Sequence, residues 1–586
     1  MTTEIVDEFT RRSRRLPRWL LGTVGVACLL LGVAIIFKPF SSLTVLILAI
    51  IAGLVAAGIA ELAGASDEPS PAMARIAGAV WLAAALIVAV WPGATIGVLA
   101  LVVGVALVVE GALKVVGGLR GTADQRVTAV ISGLAGVVFR VLALAWPDVT
   151  LFVVAVVFGA RLILFGVSSL WAAIREGRAE TSTDEQPSTM RRLARAGGAV
   201  LALVISLGLL TASAAIHSGE PRPDAFYDAP DEVPSRPGIL LRSAPYTTAV
   251  PDTARAWRIL YTTTRDDQTP ALASAIVLVG RDAPAGRRPM IAWNHGTTGW
   301  ERKCAPSILD TGLASGALPA LDQIIDNGWV LVATDYTGLG TEGPHPYMIG
   351  QGEGRSALDG VRAAKQLDNV SVADQTVVWG HSQGGHAAFW TGQLASSYAP
   401  DVNVVGVAAL APASDLIAII DNFETVTGAS LFTSFMMQAY TWTYSDVDYD
   451  DYVRPTARIQ LREMASRCLS EPGTLVSVVS SLLFDKSVLN TSPATGPLGT
   501  RLEENTPSGS IDVPLLVAQG ETDNLILPTM QAEYVQQRCD RGGDVDYRTY
   551  PGRDHVGLVA DDSPLIPDLV QWTQDWLDSR PAQSTC

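Results

Sequence analysis

At 586 residues and a formal net charge of −16, the chain is too long for one ordinary core. Residues 1–217 hold 17 Lys and Arg against 13 Asp and Glu, while residues 218–586 hold 25 against 45, with no clustered basic run. An acidic second half argues against nucleic acid as a partner, and two units of different solvent preference are expected to meet near residue 217.

In chain order, a basic segment at 1–18 precedes seven apolar stretches at 19–37, 43–64, 75–91, 95–117, 127–146, 150–174 and 196–216. Seven consecutive, nearly uncharged segments of this length predict transmembrane helices rather than buried helices of a soluble protein. Arg11, Arg12, Arg14, Arg15 and Arg18 precede the first stretch, Arg75, Arg120 and Arg126 occupy the second and fourth connections, and Arg175, Arg178, Arg191, Arg192 and Arg195 the sixth. The opposite turns hold only Lys38. The positive-inside rule then predicts a multi-pass cell-membrane protein with a cytoplasmic N-terminus and an extracytoplasmic second half. Glu110, Arg140 and Arg161 fall in or near the spans and are read as packing or snorkelling charges.

Pro39, Pro92 and Pro147 recur at spacings of 53 and 55 residues in short turns, each followed nineteen residues later by Gly58, Gly111 or Gly166. Three related hairpins are predicted. On these turns residues 19–174 resemble the HdeD-like short-repeat membrane family, from which no functional residue is carried over. After a cytoplasmic linker at 175–195, the arginines of 190–195, an apolar run and Ala212-Ser213-Ala214 have the layout of a secretory signal peptide set mid-chain. It is read as an uncut tether.

The remainder, 217–586, alternates apolar runs with helical stretches. Residues 289–293 read as a strand leading into Asn294-His295-Gly296-Thr297-Thr298-Gly299. The run 376–379 leads into Gly380-His381-Ser382-Gln383-Gly384, and a helix follows. Gly-x-Ser-x-Gly between a strand and a helix is the nucleophile elbow of α/β-hydrolases, a sharp turn that only small flanking residues allow. A serine needs a base, and the base an acid, in the chain order Ser, Asp or Glu, His. Of the six histidines only His386 and His555 follow Ser382, and His386, one helical turn on, cannot easily reach back. His555, in a loop after the strand 545–550, is the expected base. Asp523, after the strand 513–520, is the expected acid, with Glu521 the competitor and Asp554 a turn residue. The oxyanion is expected to meet the Gln383 amide and a donor from Gly296, Thr297 or Thr298.

These segments, with Cys304-Ala305-Pro306-Ser307, Asp335-Tyr336-Thr337-Gly338-Leu339-Gly340 and Gly380 to His386, make residues 235–580 resemble the secretory lipase family of fungal lipase A-type enzymes and actinobacterial relatives. The resemblance implies an α/β-hydrolase with a large lid acting on carboxylic esters of lipids, with Asp523 and His555 matching the family's acid and base. An insertion at about 414–510 is the expected helical cap, able to build an acyl pocket. Cys304, Cys468, Cys539 and Cys586 permit three fully paired connectivities, none preferred, and Cys28 lies in the first span. No metal-ligand spacing occurs, so neither metal nor cofactor is expected.

The expected fold is therefore multi-domain: an all-α transmembrane bundle of six helices in three hairpins plus a seventh span, then an α/β-hydrolase domain with a helical cap. The expected partners are a lipid or ester substrate and the membrane. Acyl transfer to a cell-envelope alcohol is the nearest alternative, since it shares the acyl-enzyme. A non-enzymatic membrane stress protein with a vestigial hydrolase half is the other.

Overall fold

The computed structural model describes residues 18–37, isolated positions between 55 and 174, and 189–586 apart from 284–285, 369, 424–425, 427, 483–487 and 581–583. Two compact units result, one of Met1–Ser218 with Arg454–Gln460 and Leu482–Ser487, the other of Gly219–Val453, Leu461–Ser481 and Val488–Cys586.

In the first unit helices run over Arg18–Phe37 and Thr189–Ser218, so that Ala212-Ser213-Ala214 is helical. The first of these meets helical residues at Gly159 and Gly166 through its own glycines. A Cβ on Gly32 would lie 2.6 Å from the Gly159 carbonyl oxygen, and one on Gly166 would lie 2.6 Å from that of Gly25. The pairing Gly25 to Gly166 and Gly32 to Gly159 makes the crossing antiparallel, with the two backbones touching. Trp146 Nε1 donates to Ser213 Oγ at 2.8 Å. Counted over the described residues alone, no helix is long and apolar enough to cross a membrane. Pro39, Pro92, Pro147, Gly58, Gly111, Glu110, Arg140 and Arg161 lie outside the described residues.

The second unit is built on one nine-stranded sheet: β1 (Leu240–Tyr246), β2 (Ala254–Thr264), β3 (Pro270–Gly280), β4 (Arg288–Asn294), β5 (Val330–Thr334), β6 (Val372–His381), β7 (Asn403–Leu410), β8 (Leu515–Gly520) and β9 (Val545–Tyr550). The spatial order is β1-β2-β3-β5-β4-β6-β7-β8-β9. Pairs up to β3 with β5 are antiparallel, and those from β5 onward are parallel.

The central strands read as nearly unbroken apolar runs because helices cover both faces of a parallel sheet. Met290, Ala292 and Val378 enter one core with Leu358, Val361 and Phe389. Ile291, Trp293, Val377 and Trp379 enter the other with Ile324, Leu569 and Trp572, as the period of two requires. Helices Gly350–Ala364 and Gln383–Tyr398 line the first face, Leu321–Asp326 and Leu565–Leu577 the second. Trp379 Nε1 donates to Thr573 Oγ1 at 3.0 Å, fixing the last helix to β6. This is the α/β-hydrolase fold. Its register sets Asn294 beside Gly380, His381 beside Leu410 and Gly520 beside Tyr550, so the loops after β4, β6, β8 and β9 leave one edge together.

Between β7 and β8 the expected insertion folds as helices Leu416–Phe423, Ser430–Thr443, Tyr449–Tyr452, Arg458–Ala465, Thr474–Leu482 and Gly496–Asn505. Ser430–Thr443 packs in the ordinary way, burying Phe435, Met437 and Tyr440. Thr474–Leu482 does the reverse: Ser477, Ser480 and Ser481 are buried, whereas Leu475, Val478, Val479 and Leu482 are exposed.

Of the open pairings the structure selects Cys304 with Cys468 and Cys539 with Cys586, leaving Cys28 free among the described residues. The first joins the β4 loop region to the cap across a sequence separation of 164 residues. Closing so long a loop restricts the unfolded chain strongly. The paired substitution Cys304→Ser with Cys468→Ser is expected to lower stability by about 2–5 kcal/mol, read as a fall of several degrees in the melting temperature. An unchanged melting temperature would show that the bond holds nothing.

Candidate active site

Ser382 sits between β6 and the helix that follows, at φ 59° and ψ −118°, a conformation L-residues avoid. Its neighbours have no room for side chains. A Cβ on Gly380 would come 1.9 Å from the Gly384 oxygen, and one on Gly384 would come 1.9 Å from the Asn294 oxygen. The turn is pinned by Ser382 N–H to the Leu410 carbonyl at 2.9 Å and by Ala413 N–H to the Ser382 carbonyl at 3.1 Å. Both glycines are therefore needed for contact with the adjoining backbone.

The loops after β8 and β9 bring two further side chains to this serine. His555 Nε2 lies 2.9 Å from Ser382 Oγ, and His555 Nδ1 lies 2.8 Å from Asp523 Oδ2. A carboxylate only accepts, so Nδ1 carries the proton and Nε2 is free to accept the serine hydroxyl hydrogen. Burial alone would raise the pKa of Asp523. The hydrogen bond and charge of His555, together with the Ile526 and Leu525 amides, bring it net below the usual carboxylate value. Oδ1 accepts those amides at 2.9 and 2.8 Å, and Gln519 Nε2 donates to Oδ2 at 3.1 Å. Glu521 instead accepts from Thr549 Oγ1, and Asp554 accepts the Gly557 N–H within its own turn.

His381, between the first glycine and the serine, donates from Nε2 to the His555 carbonyl at 2.9 Å. Burial first, and the neighbouring His555 second, push its pKa down to about 3, so it stays neutral and acts as a brace for the His555 loop.

Of the oxyanion candidates, Gly296 donates its N–H to the Gly316 carbonyl at 3.0 Å, so this donor is already committed and the expectation for it is corrected. The Gln383, Thr297 and Thr298 main-chain N–H groups have no backbone acceptor among the described residues. Thr297 is half-buried, with its Oγ1 3.0 Å from the Tyr347 hydroxyl. Thr298 is buried, and its carbonyl accepts from Leu469 N–H of the cap. No cluster of metal-binding side chains exists among the described residues.

Sequence reasoning missed a buried carboxylate beside this loop. Asp335 accepts from the Ser274 and Ser307 hydroxyls and from Ser307 N–H at 2.9 Å. The signal was present, since an aspartate directly after the apolar strand 330–334 must be satisfied internally.

Residues 307–585 match the family described as Secretory lipase, and residues 76–140 and 131–183 match a short repeat of unknown function. The chain is 26% identical to lipase A of Moesziomyces aphidis over 374 residues, covering 60% of this chain and 79% of that protein. It is 26% identical to a secreted triacylglycerol lipase of Malassezia globosa over 388 residues, covering 63% of this chain and 84% of the relative. A probable inactive lipase of Mycobacterium tuberculosis is 24% identical over 386 residues, covering 62% of this chain and 83% of that protein. The crystal structure of Candida antarctica lipase A shares the fold at a TM-score of 0.51 and 20% identity, over 63% of this chain and 89% of that one. The chain is an ester hydrolase of the triacylglycerol lipase-like kind.

Burial raises the pKa of Asp335 to about 6, the serine hydrogen bonds lowering it only in part. A carboxyl whose folded value lies above its unfolded value stabilises the fold at low pH and loses that contribution as pH rises through about 6. Asp335→Asn is therefore expected to flatten the dependence of melting temperature on pH between 4 and 7. A variant with the same slope as the parent would remove Asp335 as its source.

Proposed function

We propose that the protein is a membrane-tethered, extracytoplasmic serine ester hydrolase that cleaves lipid esters through an acyl-enzyme. The observation that carries the chemistry is the unbroken chain from Ser382 Oγ through His555 to Asp523, at 2.9 and 2.8 Å. Ser382 attacks the ester carbonyl carbon while His555 Nε2 takes its proton. The resulting oxyanion is held by the N–H of Gln383 and by that of Thr297 or Thr298, none of which has a backbone acceptor among the described residues. Collapse expels the alcohol, which takes the proton from His555, and water repeats the cycle to release the acid. Asp523 holds the tautomer and balances the imidazolium. The complete set argues against a vestigial hydrolase half.

Lipid esters are the proposed substrates because the relatives named as triacylglycerol lipases share this half of the chain. The tether rests on the sequence: seven long apolar stretches, with the arginines of the connections all in alternate ones. The antiparallel glycine contacts of Gly25 with Gly166 and Gly32 with Gly159 support it, as close backbone approach through small residues is how membrane helices associate. Transfer to an alcohol is the alternative, the acceptor then replacing water.

In the full-length protein Ser382→Ala is expected to lower hydrolysis of p-nitrophenyl esters by roughly 10⁴-fold or more, and Asp523→Asn by about 10²- to 10⁴-fold. Equal activity in Ser382→Ala would remove the serine mechanism. Release of product only with an added alcohol, and no free acid, would establish transfer. Full-length chain that resists alkaline carbonate extraction from membranes is the expected result for the tether, and a soluble mature hydrolase in the medium with no membrane species would overturn it.

A further inference from the structure

Behind Ser382 lies a group of buried polar side chains that the reaction scheme does not use. Glu353, in the helix Gly350–Ala364, is fully buried with no lysine or arginine against it among the described ion pairs. Its Oε1 accepts from Gln383 Nε2 at 2.7 Å and from Met348 N–H at 3.1 Å, while Oε2 faces His386 Nδ1 at 2.8 Å. His386 Nε2 faces the Asn505 carbonyl at 2.8 Å. A carbonyl only accepts, so Nε2 carries one proton and a second lies between Nδ1 and Oε2. The contact is thus a hydrogen-bonded acid and base pair, anchored at its far end on the last residue of the final cap helix.

Gln383 is gripped from two sides. One hydrogen of its amide meets Glu353 Oε1, and Nε2 also lies 3.0 Å from His345 Nε2. Burial holds His345 at a pKa of about 3, so it is neutral and accepts there. A leucine would fill the same space without burying a carboxylate, which is costly unless its partners are in place. In the proposed mechanism Gln383 also supplies a main-chain N–H to the oxyanion.

We infer that Glu353 is a positioning residue: by holding the side chain of Gln383 it fixes the direction of the Gln383 main-chain N–H toward the oxyanion, an inference that rests on the serine hydrolase reading. A donor used only in the transition state changes kcat and leaves KM alone. Small displacements of such groups are worth up to about a hundredfold in rate.

The test uses the full-length protein and the acylation burst with p-nitrophenyl butyrate. Glu353→Ala and Gln383→Leu, which keeps the main-chain amide, are each expected to slow acylation by roughly tenfold to a hundredfold with KM within about twofold of the parent. The double variant should be no slower than the slower single one, because both act through one amide. Glu353→Gln, which retains an oxygen for Gln383, should recover most of the rate. Multiplying losses in the double variant, or a loss confined to KM, would overturn the inference. If Glu353→Ala does not fold, Gln383→Leu decides alone, and acylation within twofold of the parent sinks the proposal. A parent with no burst dependent on Ser382 would instead remove the underlying reading, and this one with it.

Discussion

The strained backbone of Ser382 is the constraint on which the rest of the hydrolase unit depends. At φ 59° and ψ −118° the residue would relax if released, and it is held by β6 beneath, the Leu410 carbonyl beside it and two glycines whose backbone contacts leave no space for a Cβ. The two cores on either side of the sheet make that hold stiff. Trp379, directly before Gly380, is buried against Trp329 at a ring separation of 6.1 Å and bonded to Thr573, so the strand cannot rotate to relieve the turn. Local strain is thus maintained by packing far larger in extent than the turn itself.

From that fixed point the geometry spreads outward in layers. Parallel register places the β8 and β9 loops beside the elbow, Asp523 is itself tied down by two main-chain amides, and His381 braces the carbonyl of the base. Each group near the serine is therefore oriented by a second group that does not face the substrate. The histidines illustrate the division of labour. His345 and His381 are buried and neutral, serving as fixed hydrogen-bonding parts, and only His555 lies part-exposed against the serine.

Much of the hydrolase half was legible because its chemistry is written locally. Gly380 and Gly384 announce a turn that few other contexts need, and chain order with so few histidines leaves little choice of base. What stayed hidden depends on distant pairing. The partners of Cys304 and Cys539 could not be read from spacing, since each bond joins segments brought together only by the finished sheet and cap. His386 was judged by its reach toward Ser382, and that test cannot see Glu353, 33 residues upstream, which meets it on the opposite side. Gly296 looked like a free amide because the Gly316 carbonyl that occupies it lies in a later loop. Thr474–Leu482 shows the limit of composition: rich in leucine and valine, it nonetheless turns its serines inward. For the first 217 residues the apolar periodicity is clear in the sequence, while most of the positions that carry it lie outside the described residues.

The bond between Cys304 and Cys468 links assembly to compartment. It joins the segment just beyond Thr297 and Thr298 to the cap, where the only other described main-chain tie is Leu469 N–H to the Thr298 carbonyl. A disulfide forms in an oxidising space and is absent from a reducing one. In a reducing space that loop would rest on the Leu469 hydrogen bond, the Lys303 to Glu471 ion pair and the Trp300 to Trp442 ring contact, all of them reversible, so the one covalent hold on the donor array waits on oxidation.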